Sequence, residues 1–263
     1  MFLLADKVKT FSIAGKTYKV NQRIMPEDYP APKDVASYVK KGEAMKPCAL
    51  LHGDGIPCGI TVHNTNMIRP AVGTNAAEQY CRATYNGNMS GVIVHYYIWH
   101  DIIWQLLDDT ERGWHATDGS TRRADKTGQG IIGGNLDTIA IEAIGPDKET
   151  EETTAALCAK LCIKYALLPM EDIYPHRFFY PAKYCPEYIL PHFDDFLKRV
   201  KELYLTTVTA EINIPVPAKE DNPDEWAAES WKWAKAMKLI TSSNPHDVVT
   251  MQQLAVILDR FDR

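Results

Sequence analysis

Three residues carry the strongest suggestion of chemistry in this 263-residue sequence: His63, His176 and Cys185. A hydrolytic zinc site takes three protein ligands from histidine, cysteine and carboxylate side chains and keeps a fourth position open for water. His176 and Cys185 share one short segment, in which Pro181 argues for a loop rather than one helix. A loop of that length can bring both side chains to one ion. His63 closes a β-rich run, where a side chain can project from a sheet. The same residues also fit hydrogen-bonded histidines and a buried thiol, and residue type alone leaves both readings open. The other cysteines, Cys48, Cys58, Cys81, Cys158 and Cys162, form no C-x-x-C pair, which excludes a zinc ribbon or a thioredoxin-like motif. Reduced thiols are the default expectation.

The elements that must position these residues are legible in outline. Gly59–Thr65 is rich in β-branched residues, Gly91–Trp99 is a longer β-rich run, and Ile102–Leu107 follows it as the second arm of a hairpin. Thr138–Ile144 alternates, with Ile139, Ile141 and Ala143 on one face and Ala140, Glu142 and Ile144 on the other. Helices are expected after Asn75, where Glu78 completes a capping box, over 150–168 up to Pro169, and over 191–204. The expected fold is therefore α/β, a mixed central β-sheet flanked by helices, ending near residue 205. Residues 206–220 read as a linker stiffened at Pro215 and Pro217, and 221–263 as a small helical unit. That unit opens on a capping box at Asn222–Glu225, with Pro223 at its first helical position.

Composition narrows the function class. Hydrophobic residues make up 45% and charged residues 24%, which excludes a disordered or fibrous chain. No apolar run approaches the roughly 18 residues of a membrane span. The opening Met-Phe-Leu-Leu-Ala meets Asp6 too soon for a signal-peptide core, so cytoplasmic synthesis without export by that route is expected. A net charge of −5 argues against a nucleic-acid partner. The charge is uneven, because residues 1–46 hold nine basic and five acidic side chains. That segment resembles nothing placeable.

Five short motifs occur in a distinctive order: Val-His63-Asn-Thr, His95-Tyr, Gly113-Trp114-His115-Ala-Thr-Asp-Gly, Asn135 through Glu142, and His176 with Lys183-Tyr-Cys185-Pro. The order resembles the zinc-dependent N-acetylmuramoyl-L-alanine amidases of the type-2 amidase, or peptidoglycan-recognition-protein, family, over roughly residues 50–205. Phage endolysins and clostridial autolysins are the branch it looks most like. The resemblance implies Zn2+ held by His63, His176 and Cys185, with Glu142 facing the metal water and Lys183 steadying the oxyanion. It places His95 in the active-site strand, and Trp114 and His115 as cleft residues that contact sugar or peptide. Val94 stands where some relatives carry a tyrosine, and Gly113 and Thr117 replace the more usual alanine and glycine.

The activity implied is cleavage of the lactyl amide between N-acetylmuramic acid and L-alanine in bacterial peptidoglycan. Lys183 alone would read as an ordinary solvated charge, and Glu142 as an exposed strand carboxylate but for its apolar same-face neighbours Ala140 and Ile144, which favour a functional role. The segment 221–263 looks like one surface-layer-homology repeat, which implies binding to wall polysaccharide; self-association into a homo-oligomer is the other expectation. Two different readings stay open. One is a peptidoglycan-binding module without hydrolysis. The other is a Cys–His peptidase, which would want Cys185 at a helix amino terminus.

Overall fold

A computed structural model describes residues 3–26, 45, 55–66, 75–89, 91–128 and 130–211. The expected repeat at 221–263 and the prolines of the expected linker lie outside these residues. The elements are β1 (Lys7–Ile13), β2 (Lys16–Gln22), β3 (Gly59–Thr65), α1 (Ala76–Tyr85), β4 (Tyr96–Trp99), β5 (Ile102–Gln105), β6 (Arg123–Ala124), β7 (Ile131–Ile132), α2 (Gly134–Asp137), β8 (Thr138–Ile144), α3 (Lys148–Tyr165), β9 (Ile173–Pro175), α4 (His176–Phe179) and α5 (Phe193–Glu211). The chain divides into two units at Val208 and Thr209, and the architecture described here belongs to the first.

Seven strands form one mixed sheet in the order β1-β2-β5-β4-β8-β3-β9, and β6 pairs with β7 separately. The β4–β8, β8–β3 and β3–β9 pairs are parallel, while β1–β2 and β4–β5 are antiparallel. The central strands β3 and β8 are buried on both faces, which suits their near-continuous apolar and β-branched sequences. Ile60, Val62, Ile139, Ile141 and Ala143 pack one face against Cys158, Leu161 and Cys162 of α3 and Phe196, Val200 and Leu203 of α5. On the opposite face Tyr97, Trp104, Ala140 and Ile144 pack against Ala76, Ala77 and Cys81 of α1. His63 alternates with Val62, so its side chain emerges on the α1 side, away from the larger core.

Several expectations shift in detail. The Gly91–Trp99 strand shortens to β4, because Ile93 bridges to Trp114 instead. Asn75 caps α1 by accepting from the Glu78 amide at 2.6 Å, but the Glu78 carboxylate turns to the Leu3 amide and Arg82. α3 ends at Ala166, in the left-handed region, three residues before Pro169. α5 runs on to Glu211, seven residues past the expected end, into the segment read as linker. Thr207 holds that extension: its hydroxyl donates to the Leu203 carbonyl and accepts from the Ala14 amide, both at 2.8 Å. Cys58 is disulfide-bonded, against the expectation of reduced thiols, while Cys81, Cys158, Cys162 and Cys185 are free. No helix among the described residues is long and apolar enough to cross a membrane.

Candidate metal centre

Three separate segments deliver the expected ligands to one point. β3 pairs with β8 on one side and with β9 on the other. His63 therefore sits near the middle of the parallel part of the sheet. His176 opens α4 directly after β9, whose Pro175 is in register with Val62. The Arg177 amide donates to the Cys185 carbonyl at 2.9 Å, which folds the 180–185 loop back over the start of α4. The ligand atoms of His63, His176 and Cys185 lie within 4.8 Å of one another. All three residues are buried, at 3%, 0% and 4% exposure.

The donor set fits a tetrahedral cation. His63 Nδ1 and His176 Nδ1 are 3.0 Å apart, and Cys185 Sγ is 4.0 Å from His63 Nδ1. Two nitrogens held tetrahedrally by zinc at their usual bond lengths lie roughly 3.3 Å apart. Both rings engage other groups through Nε2: His63 with His115 Nδ1 at 3.0 Å, and His176 with Thr117 Oγ1 at 3.3 Å. If both Nε2 atoms donate, both Nδ1 atoms are bare lone pairs, and two lone pairs at 3.0 Å need a cation. Burial, then the neighbouring His176, His115 and Lys183, pushes His63 well below the usual imidazole range. Burial and Lys183 lower His176 to about 4. Both imidazoles are therefore neutral at pH 7. Burial, then Glu142, pushes the Cys185 thiol up to about 12. A coordinating cation is what would deprotonate it.

Glu142 stands beside this group. It is in register with His63 on β3 and with Tyr97 on β4. Its Oε1 accepts from the Thr65 hydroxyl at 2.7 Å. Burial raises its carboxyl to about 7, against the Thr65 hydrogen bond and the Lys183 charge, which both favour the ionised form. A carboxyl poised near 7 is suited to exchange a proton at neutral pH. Lys183 is solvent-exposed, yet its charge is felt by His63, His176, Cys185 and Glu142, which puts it at the mouth of the site. Tyr80 of α1 also feels the Glu142 charge, after burial the second cause of its raised pKa.

The three expected cleft residues divide. Trp114 is half-buried beside the site loop. His95 is fully buried, with Nδ1 accepting from the Ala140 amide at 3.0 Å and Nε2 against the Glu111 carbonyl at 2.7 Å. It braces the start of β4 against β8. His115 is 5% exposed, and its Nδ1 lies 3.0 Å from His63 Nε2. Val94, at the position of the relatives' tyrosine, is core.

Reasoning from sequence did not assign Thr65 or Asn135. Thr65 follows His63 by two residues on one strand, so strand periodicity alone places both on one face. Asn135 is fully buried, and its Oδ1 accepts from the His115 and Ala116 amides at 2.7 and 2.8 Å. Asp118 in turn caps α2 through the Gly134 amide at 2.6 Å.

The sequence profile of the N-acetylmuramoyl-L-alanine amidase family matches residues 54–188, just over half of the chain. The N-acetylmuramoyl-L-alanine amidase CwlH of Bacillus subtilis (strain 168) is 28% identical over 162 residues, covering 62% of this chain. The aligned stretch spans 60% of that relative's length. Among solved structures, a mutant endolysin from Bacillus subtilis matches with a TM-score of 0.50 and 25% identity, over 70% of this chain and 99% of that one. The matched span contains His63, His176 and Cys185, which could hold a metal ion, together with Glu142 and Lys183, and on that span the chain belongs to the N-acetylmuramoyl-L-alanine amidase family.

Proposed function

We propose that this protein is a peptidoglycan hydrolase that cleaves the amide between N-acetylmuramic acid and L-alanine, with zinc held by His63, His176 and Cys185. The observation that carries it is the convergence of three buried ligand atoms beside a carboxyl raised to about 7, inside the span matched by the amidase family. Zinc bound there would supply a Lewis acid and lower the pKa of a coordinated water to roughly 7. The chain's own groups do the rest. His63 and His176 present neutral Nδ1 atoms, and Cys185 contributes the negative charge of a thiolate. Glu142, held through Oε1 by Thr65, takes a proton from the attacking water and returns it to the leaving L-alanine amine. Lys183 places a positive charge at the cleft mouth, where negative charge develops on the scissile carbonyl oxygen.

The Cys–His peptidase is disfavoured by geometry. Cys185 lies between α4 and the 3-10 turn at Leu190–His192 instead of at a helix amino terminus, and its thiol stands near 12. A binding module without hydrolysis has no use for a carboxyl poised at Glu142.

Digestion of purified peptidoglycan tests the proposal. New amino-terminal alanine without new reducing sugar, lost with chelator and restored by zinc, is the expected outcome. Chelator-resistant new termini support the peptidase. Wall binding without new termini supports the binding module.

A further inference from the structure

The two ligand histidines are gripped from behind by one short stretch of chain. His63 Nε2 meets His115 Nδ1, and His176 Nε2 meets Thr117 Oγ1, from residues two apart with Ala116 buried between them. A histidine that binds a metal through one nitrogen donates from the other, and the acceptor fixes its tautomer and ring orientation. Here the acceptors are an imidazole and a hydroxyl.

Three independent features show that the stretch is held in place. Asn135 accepts the His115 and Ala116 amides and donates to the Gly119 carbonyl at 3.1 Å, tying the stretch to α2. Gly113 leaves room for the His115 ring: a Cβ there would lie 2.7 Å from the Ile93 carbonyl oxygen and 2.9 Å from His115 Cδ2. Thr117 occupies the left-handed region at φ 60°. That conformation is a real outlier for a β-branched residue. Strain of this kind persists where the surroundings over-determine it and a side chain is needed. A glycine would relieve it and lose the hydroxyl.

We propose that His115 and Thr117 are positioning residues that fix both metal-binding histidines as Nε2–H tautomers, so that Nδ1 of each is presented to the ion. His63 Nε2–H donates to His115 Nδ1, and His176 Nε2–H donates to Thr117 Oγ1. The inference rests on the zinc reading of His63, His176 and Cys185, and its test separates the two.

Zinc affinity, measured by competition with a chromophoric chelator on the whole chain, is the readout, with thermal unfolding of the metal-free forms alongside. Asparagine places an amide oxygen where His115 Nδ1 stands, whereas glutamine places it one bond further out. His115→Gln should weaken zinc binding by about 10–100-fold. His115→Asn should stay within a few-fold of the unaltered protein. Thr117→Gly should weaken zinc binding several-fold while the metal-free protein keeps or gains thermal stability, because the left-handed strain is relieved. Equal zinc affinity in His115→Gln and the unaltered protein overturns the role of His115. Equal affinity in Thr117→Gly overturns that of Thr117. Nitrogen-15 NMR of the unaltered zinc-loaded protein needs no variant: protonated Nε2 in both His63 and His176 is expected, and metal at either Nε2 overturns the inference. An unaltered protein that binds no zinc overturns the metal reading and the inference together. Tight zinc binding without amidase products overturns the proposed activity alone.

Discussion

His63 on β3 and Glu142 on β8 are register partners across one parallel strand pair, so the proposed metal ligand and the proposed proton-transfer carboxyl share one sheet face. Neither position depends on a loop. Replacing Glu142 by Gln keeps shape and hydrogen bonding but removes the base. Turnover should fall by about 10²–10⁴-fold. Zinc content, measured by elemental analysis, should not change. A variant that loses its zinc instead would make Glu142 a structural or ligating group.

The position of the Glu142 carboxyl near 7 predicts the acid limb of the pH profile. In the proposed mechanism the carboxylate is the active form, so kcat/KM should rise with pH as Glu142 ionises and then level off. Thr65 and Lys183 both favour the ionised form. Removing either, by Thr65→Val or Lys183→Met, should therefore move the limb to higher pH. Lys183→Met should also lower the plateau. A limb that stays put in Thr65→Val would show that another group titrates.

Much of this site was legible beforehand because its anchors lie on strands. The β-branched runs Gly59–Thr65 and Thr138–Ile144 coincide with β3 and β8, and alternation places Glu142 on the face away from Ile141. What strand patterning could not give was the depth of the histidines. His95 and His115 follow the same motif order as the ligands, yet one is spent on the Ala140 amide and the Glu111 carbonyl and the other on His63. A histidine's second nitrogen is satisfied by tertiary neighbours, which no local spacing encodes. The amino-terminal hairpin was missed for a different reason. β1 is a mostly exposed, lysine-bearing strand at the sheet edge, and β2 beside it interleaves lysines and polar residues with only Tyr18 and Val20 as buried apolar side chains, so their apolar alternation is weak. The signal that was present is the Ala14-Gly15 turn, where both residues have positive φ.

Asn135 ties the site loop to α2, so its loss should be felt as stability first. Asn135→Ala strands the buried amides of His115 and Ala116, each at a cost of about 1–3 kcal/mol. Denaturant unfolding of the metal-free variant should show that loss, and Asn135→Asp, which keeps the acceptor, should show less. Unchanged unfolding in Asn135→Ala would mean that water replaces the side chain.

The carboxy-terminal segment makes a separable prediction. Deleting residues 221–263 should weaken binding to intact walls and spare hydrolysis of soluble wall fragments. Sedimentation with purified walls and a soluble-fragment assay check the two halves. Unchanged wall binding would remove the targeting role from that segment.

The most direct test of the account is a zinc titration of the metal-free protein, with bound metal and amide cleavage followed in the same samples. Activity should rise in proportion to zinc, level off at one equivalent per chain, and stay absent in His176→Ala at every ratio. Full amide cleavage by rigorously metal-free protein, or by His176→Ala without bound zinc, would contradict it.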